Sequence, residues 1–364
     1  MVNRFDDVFD NSKEISSYNL QVSRKVLFAV ACIAIAFIGL GLELCMGKAD
    51  IGFLESYAII WDHITGNVAT DPVGVLKDDV VWNLRIPRAL GAFMVGMVLA
   101  VCGAAMQSIM KNPLADPYTT GISSGAGFGA ILAIALGFCL VPGITGYNAI
   151  VINAFVFSLI PTGAIVLISK LKNAQHTTMI LAGLGVMYTF SAMTSLMMLI
   201  ADPNDHKTAY VWNIGTVGAI TWDNIVFILV SAVVAVAFMQ AMAKNINILA
   251  MSDSDARALG VDANRARIYI LLVTAVTVAL AVSFTGSIGF IGLLAPHIVR
   301  VFIGSDNRYL IPASAAFGGM LLLYSDCVAK VVGVTGVPVG VITAAVGGPL
   351  FLYILFRHKN KIWG

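Results

Sequence analysis

The chain predicts an all-α integral membrane protein of about ten transmembrane helices, with a weak inverted internal repeat and both termini cytoplasmic. Three observations predict it. Of 364 residues, 59% are hydrophobic and 12% charged, far from the roughly half-apolar, quarter-charged mixture of soluble domains. About ten apolar runs approach the about 20 residues that cross about 30 Å of hydrocarbon as helix. The basic residues are divided unevenly between alternate connections, as the positive-inside rule requires.

The runs lie near 26–46, 88–110, 122–140, 149–169, 178–200, 224–243, 267–285, 287–304, 309–327 and 338–356. The first is preceded by acids and no small-residue cleavage site, so it reads as a retained anchor and not a signal peptide. The second is opened by Arg85-Ile-Pro-Arg88. It is followed by a polar connector, Asn112-Pro-Leu-Ala-Asp-Pro117, whose prolines stop helix from continuing and whose irregular backbone needs cover from protein or water. Pro296, His297 and Arg300 interrupt the eighth run, which is therefore expected to be short, bent or buried among other helices. Two connections on the outer side are long enough to carry structure, 47–87 and 201–223; on the inner side the substantial one is 244–267. The organisation is thus a cytoplasmic N-terminal segment, 1–25, a single transmembrane domain, 26–356, and a cytoplasmic tail, 357–364.

With the N-terminus inside, sixteen Lys and Arg fall on the inner side and six outside: Lys48, Lys77, Arg85, Arg88, Lys207 and Lys330. Trp61, Trp82, Trp212 and Trp222 fall in or beside the outer loops, where an interfacial aromatic belt belongs. Leu99-Ala-Val recurs as Leu280-Ala-Val, and Ala126-Gly-Phe-Gly as Ala315-Ala-Phe-Gly, a faint inverted repeat of the kind transporters use. Small residues four apart, such as Ala92, Gly96, Ala100 and Ala104, allow close helix approach; they fit ordinary packing or the wall of a path for a bulky solute.

The five cysteines have no paired spacing and read as small core residues. No catalytic constellation and no metal-ligand pair of histidines is visible, and no phosphate-binding G-x-x-x-x-G-K-[ST] loop is present, so this chain is read as a transport subunit without its own ATPase motif. Glu43 and Asp326 lie only near span ends, whereas ion-coupled carriers place ionisable groups at the midplane. Energy would then come from another subunit; the alternative is a stand-alone ion-coupled secondary transporter. In the inner segment, Ser252 or Asp253 can cap a short helix that Gly260 ends, and Asp262 can cap the next helix; a docking point and a generic amphipathic connector both fit. The outer cations fit either snorkelling anchors or a basic rim for an acidic partner.

These residues also carry a resemblance. Arg85-Ile-Pro-Arg-Ala-Leu, Gly103-Ala-Ala-Met-Gln107, Asn112-Pro-Leu-Ala-Asp-Pro117, Gly121-Ile-Ser-Ser-Gly-Ala-Gly127, Leu181-Ala-Gly183, Ala258-Leu-Gly-Val261, Gly286 to Arg300 and Val337 to Leu350 stand in order. Together they resemble the membrane-spanning permease subunit of the iron-siderophore, haem and cobalamin ABC importers. The resemblance implies a homodimer, or a pair with a close relative, in the lipid bilayer of the cytoplasmic membrane. It implies an ATP-hydrolysing subunit below and an extracytoplasmic substrate-binding protein above. No cofactor is implied on this chain, ATP acting through the partner subunit, and no nucleic-acid partner.

Carried onto this sequence, the resemblance assigns binding-protein docking to Arg85, Arg88 and Lys330. It assigns the cytoplasmic gate to Asn112, Leu114, His176 and Thr177, and ATPase coupling within 244–267 to Ser252, Asp253, Asp255, Arg257, Leu259 and Gly260. The fifth and tenth spans would line the path, here with Gly183, Gly340, Ala344 and Gly347.

Overall fold

The computed structural model describes residues 3–172, 176–251, 253–333 and 336–357, apart from some side chains at the edges of these segments. Among them every regular element is helical. All ten apolar runs are helices: α1 (Asn3–Cys45), α4 (Ile86–Ile109), α5 (Ile122–Leu136), α6 (Gly146–Lys172), α7 (His176–Ile200), α9 (Trp222–Ala241), α12 (Ala263–Thr285), α13 (Ile291–Ile303), α14 (Asn307–Val331) and α15 (Val339–Arg357). The connections add α2 (Phe53–Thr65), α3 (Pro72–Asp79), α8 (Pro203–Ile214), α10 (Ala243–Ala250) and α11 (Asp253–Ala258). Helix α1 runs unbroken through residues 25 and 26, so the expected boundary there is not a break in structure.

Helix α4 is the axis of the molecule. In the helical run that contains it, 83% of the most apolar stretch is buried, against 11% for α7; an all-round apolar helix belongs inside. Two glycines let other backbones reach it. A Cβ on Gly96 would collide with the Gly318 carbonyl of α14, and one on Gly103 with the Gly292 carbonyl of α13. Glycines 125 and 129 do the same for α5 against Phe157 and Asn153 of α6. The small-residue stripes of these spans therefore serve close packing.

Before α4, helical hydrogen bonding continues from α3 through a π-helical turn, Val80–Arg85, where the Ile86 amide bonds to Val81. This wider turn precedes Pro87, whose ring forbids the ordinary i−4 bond. The Arg-Ile-Pro-Arg motif thus sits inside a continuous helical run and does not open it.

Helix α4 packs on α13 and α14, and α12 packs on α5 and α6. Helices α5 and α13 are both short, 15 and 13 residues, about 20 Å at 1.5 Å per residue, and cannot cross alone. Each starts from a left-handed residue, Gly121 at φ +87° and Phe290 at φ +70°. Of the two sequence matches, Leu99 to Leu280 pairs α4 with α12 and Ala126 to Ala315 pairs α5 with α14, so they do not share one offset in helices. The eighth span is short as expected, with Pro296 inside it and His297 and Arg300 buried.

Candidate functional site

The polar connector between α4 and α5 enters the interior. Asp116 is buried and its carboxylate accepts from the Tyr118 amide at 3.1 Å, capping a 3-10 turn, Pro117–Thr120. It faces Gly292, which itself abuts the Leu99 carbonyl, about 20 Å along α4 from Ile86. The loop 286–290 after α12 arrives at the same depth. The Ile288 amide donates to the Tyr118 hydroxyl at 3.1 Å, and Ser123 and Ser287 share a hydrogen bond at 2.5 Å. Two stretches of irregular backbone thus meet halfway along the central helix, each covered by the other's side chains, which is the condition for non-helical chain at membrane depth.

At one end of the molecule the three predicted basic residues meet two acids. Arg88 makes a two-pronged bond to Asp326, 2.7 and 2.8 Å, and lies 3.9 Å from Glu43; Lys330 pairs with Glu43. Both acids are wholly buried, and the Arg88 side chain keeps a quarter of its surface exposed. Arg85 differs. It is buried and donates to the carbonyls of Leu44 and, at 2.8 Å, Ala49, tying the end of α1 to α4. These two bonds use two of the five guanidinium donors, and Arg85 also lines the cavity at this end. Arg88, Lys330 and the exposed Lys48, which sequence reasoning did not single out, line a cavity of about 650 Å³ open at this end. The buried acids were visible as span-end residues, but only the tertiary contacts pair them with the cations.

At the opposite end, the gate candidates divide. Asn112 caps its own turn, its carbonyl oxygen accepting from the Leu114 amide at 3.0 Å, and Leu114 is exposed. Lys111 stands at φ +50°, a conformation rarely adopted away from glycine. The side chains of His176 and Thr177 lie outside the described residues, as do those of Ser252 and Asp253.

Helix α11 is short, with Asp255, Arg257 and Leu259 exposed and Ala256 fully buried beneath. Gly260, at φ +77°, ends it, the Gly260 amide bonding to Arg257. Asp262 caps α12 as expected, accepting from the Arg265 amide at 3.1 Å. Helix α11 packs on α10 and α12. Asn247 of α10 then bonds to both Asp306 and Asn307 at the start of α14, each at 2.8 Å, and Asn307 accepts from Ser108 of α4 at 3.2 Å. The Arg308 hydrogen bonds hold the Asp306 carboxyl down at about 2, so this link stays ionised across physiological pH. Beside it, Arg300 of α13 donates to Gln107 of α4 at 2.9 Å.

The four path candidates differ in their surroundings. A Cβ on Gly183 would come within 2.8 Å of the Thr119 carbonyl, and one on Gly347 within 2.7 Å of the Phe290 side chain. One on Gly340 would collide with the Ile214 carbonyl. These three glycines are buried and admit neighbouring backbone or ring. Ala344 does face an exposed side of α15.

A bundle of ten apolar helices, with broken segments meeting at its centre, an ionic cluster at one end and a surface helix pinned to the core at the other, defines a multi-pass membrane transport subunit. The FecCD transport family matches residues 32–357, and the chain belongs to that family. It is 33% identical over 326 residues to the hemin transport system permease protein of Yersinia pestis, covering 87% of this chain and 93% of that one. It is 38% identical over 278 residues to the cobalamin import system permease protein of Halobacterium salinarum, 76% and 73% of the two chains. A solved inward-facing structure of a metal-chelate type ABC transporter superposes with a TM-score of 0.78 at 25% identity, covering 90% of this chain and 98% of that one.

Proposed function

We propose that this chain is the permease subunit of an ATP-driven importer that carries a bulky metal chelate, a ferric siderophore, haem or cobalamin, across the cytoplasmic membrane. The observation that carries this reading is the family match over almost the whole chain. Haemin and cobalamin, named as cargo of the two relatives, are both metal-centred macrocycles, and that class is extended here to this chain.

In this reading the Arg88 end faces outward and the α11 end inward, as the basic-residue bias requires. Helix α11 offers Leu259 and its charged neighbours to a separate ATP-hydrolysing subunit. Motion imposed there passes through α10 and Asn247 to the start of α14 and the end of α4, next to the Asn112–Leu114 gate. A substrate-binding protein docks on the opposite end, around Arg88, Lys330 and Lys48. A second copy of the chain, or a close relative, covers the exposed faces of α7 and α15, and the path runs between the copies.

The test is uptake by vesicles containing this chain with its ATPase and binding protein. Uptake that needs ATP and persists when ion gradients are collapsed is expected. Uptake that follows an ion gradient without the ATPase subunit would establish the secondary-transporter alternative instead.

A further inference from the structure

We propose that a hydroxyl-lined cavity beside the meeting point of the two irregular connectors is a cargo subsite, built to take the uncharged, hydroxyl- or amide-bearing edge of a chelate. The proposal rests on the importer reading above and adds the class of surface the cargo presents.

The cavity has a volume of about 400 Å³, within the range of about 300–1,000 Å³ typical of small-molecule sites. Four elements build it: the 3-10 turn and the start of α5 contribute Tyr118 and Ser123, the middle of α7 contributes Ser191, Thr194 and Ser195, the end of α8 contributes Asn213, and the loop after α12 contributes Ser287. Among the described residues no charged side chain lines it. Its location follows the rule that transporters bind solute where the two repeats meet and helices are interrupted, because Tyr118 and Ser287 are the residues that join the connectors.

The hydrogen-bonding inventory points to a neutral ligand with both donors and acceptors. The Tyr118 hydroxyl already accepts from the Ile288 amide, so its own proton is available to donate. Ser195 donates to the Ser191 carbonyl at 3.0 Å, so its oxygen keeps lone pairs for a donor. The side chains of Ser191, Thr194 and Asn213 make no hydrogen bond among the described residues, and the Asn213 carboxamide oxygen lies 3.0 Å from where a Cβ on Gly127 would stand. Gly127 thus leaves room for the amide to face the cavity. A carboxylate- or catecholate-rich anion would lose its hydration here with no cation in the wall to replace it. A hydroxamate or carboxamide surface exchanges its water for hydroxyls one for one. Helix α7 forms one wall and is largely unpacked on its other sides, so the remainder of a larger chelate extends out of the cavity into the path.

The test uses the full chain in membrane vesicles, with Ser191→Cys and, separately, Thr194→Cys. Alkylation by N-ethylmaleimide is followed on the individual peptide by mass spectrometry, so the five native cysteines do not interfere. Ferrichrome, a neutral ferric hydroxamate, and cyanocobalamin, a neutral amide-rich corrinoid, are expected to slow alkylation by about fivefold at four times their dissociation constant. Ferric citrate, an anionic carboxylate chelate, is expected to leave the rate unchanged at the same concentration. Adding Asn213→Leu is expected to remove the protection. Equal protection by neutral and anionic chelates, or none at either position, overturns the proposal. The importer reading fails separately, by uptake that needs no ATPase subunit, and that result would leave the protection pattern standing.

Discussion

Removing the guanidinium of Arg88 would leave two wholly buried carboxylates, Asp326 and Glu43, facing the single ammonium of Lys330. Breaking such a pair from one side costs about 3–5 kcal/mol, whereas replacing both partners with apolar groups is often neutral. Arg88→Ala is therefore expected to lower the thermal unfolding midpoint in detergent, and Arg88→Met with Asp326→Leu to restore most of it. If the double variant is as unstable as the single one, the cluster is not a mutually compensating pair. Glycines allow an equally sharp comparison. Gly103→Ala would place a methyl against the Gly292 carbonyl, while nothing lies within 4 Å of a Cβ on Gly163. The first is expected to abolish stable assembly; the second, in the interior of α6, to be neutral or stabilising by up to about 1 kcal/mol. Fluorescence-detected size-exclusion profiles separate the two.

Helix α10 is tied to the core by side chains and not only packing, and in the proposed function it moves with α11, which packs on it, as one lever. Asn247 serves two partners on the α14 N-terminus, and Asn307 passes the link to Ser108. Asn247→Ala is expected to leave ATP hydrolysis by the assembled complex within about twofold while lowering uptake per ATP by about tenfold, as an allosteric coupling of 1–3 kcal/mol predicts. A parallel fall in both activities would mean that Asn247 only stabilises the fold. Leu259→Glu addresses the surface of the lever. An exposed leucine beside a helix end is expected to insert into the ATPase subunit, so the change should abolish its co-purification without altering insertion of this chain. Retained co-purification would move the docking site elsewhere.

For the whole molecule, the proposed function places a second copy against the exposed faces of α7 and α15. Cysteines at Leu114 of paired copies are expected to cross-link and to block uptake reversibly under reduction; uptake that continues with the link formed would exclude closure of the gate there. The ten apolar helices, the shortness of the eighth, the Asp262 cap and the short helix Asp253–Ala258 were all legible in the sequence. Each depends on local periods, caps and run lengths, which the chain writes residue by residue. The resemblance motifs were legible too, but not what their side chains touch. Arg85, assigned to docking by the resemblance, braces the end of α1 with two of its donors; Gly183, Gly340 and Gly347, assigned to a path, each meet a neighbour where a Cβ would stand. The hydroxyl cavity assembles Tyr118, Ser191, Asn213 and Ser287 from four distant segments, with no spacing that could announce it. Sequence determined that the chain is helical and where its apolar runs lie, because hydrophobic patterning and backbone hydrogen bonding are satisfied within a segment. Only the tertiary structure decided which charges neutralise one another, which glycines meet a backbone and where the two broken connectors join, because each of those is settled by partners on other elements of the chain.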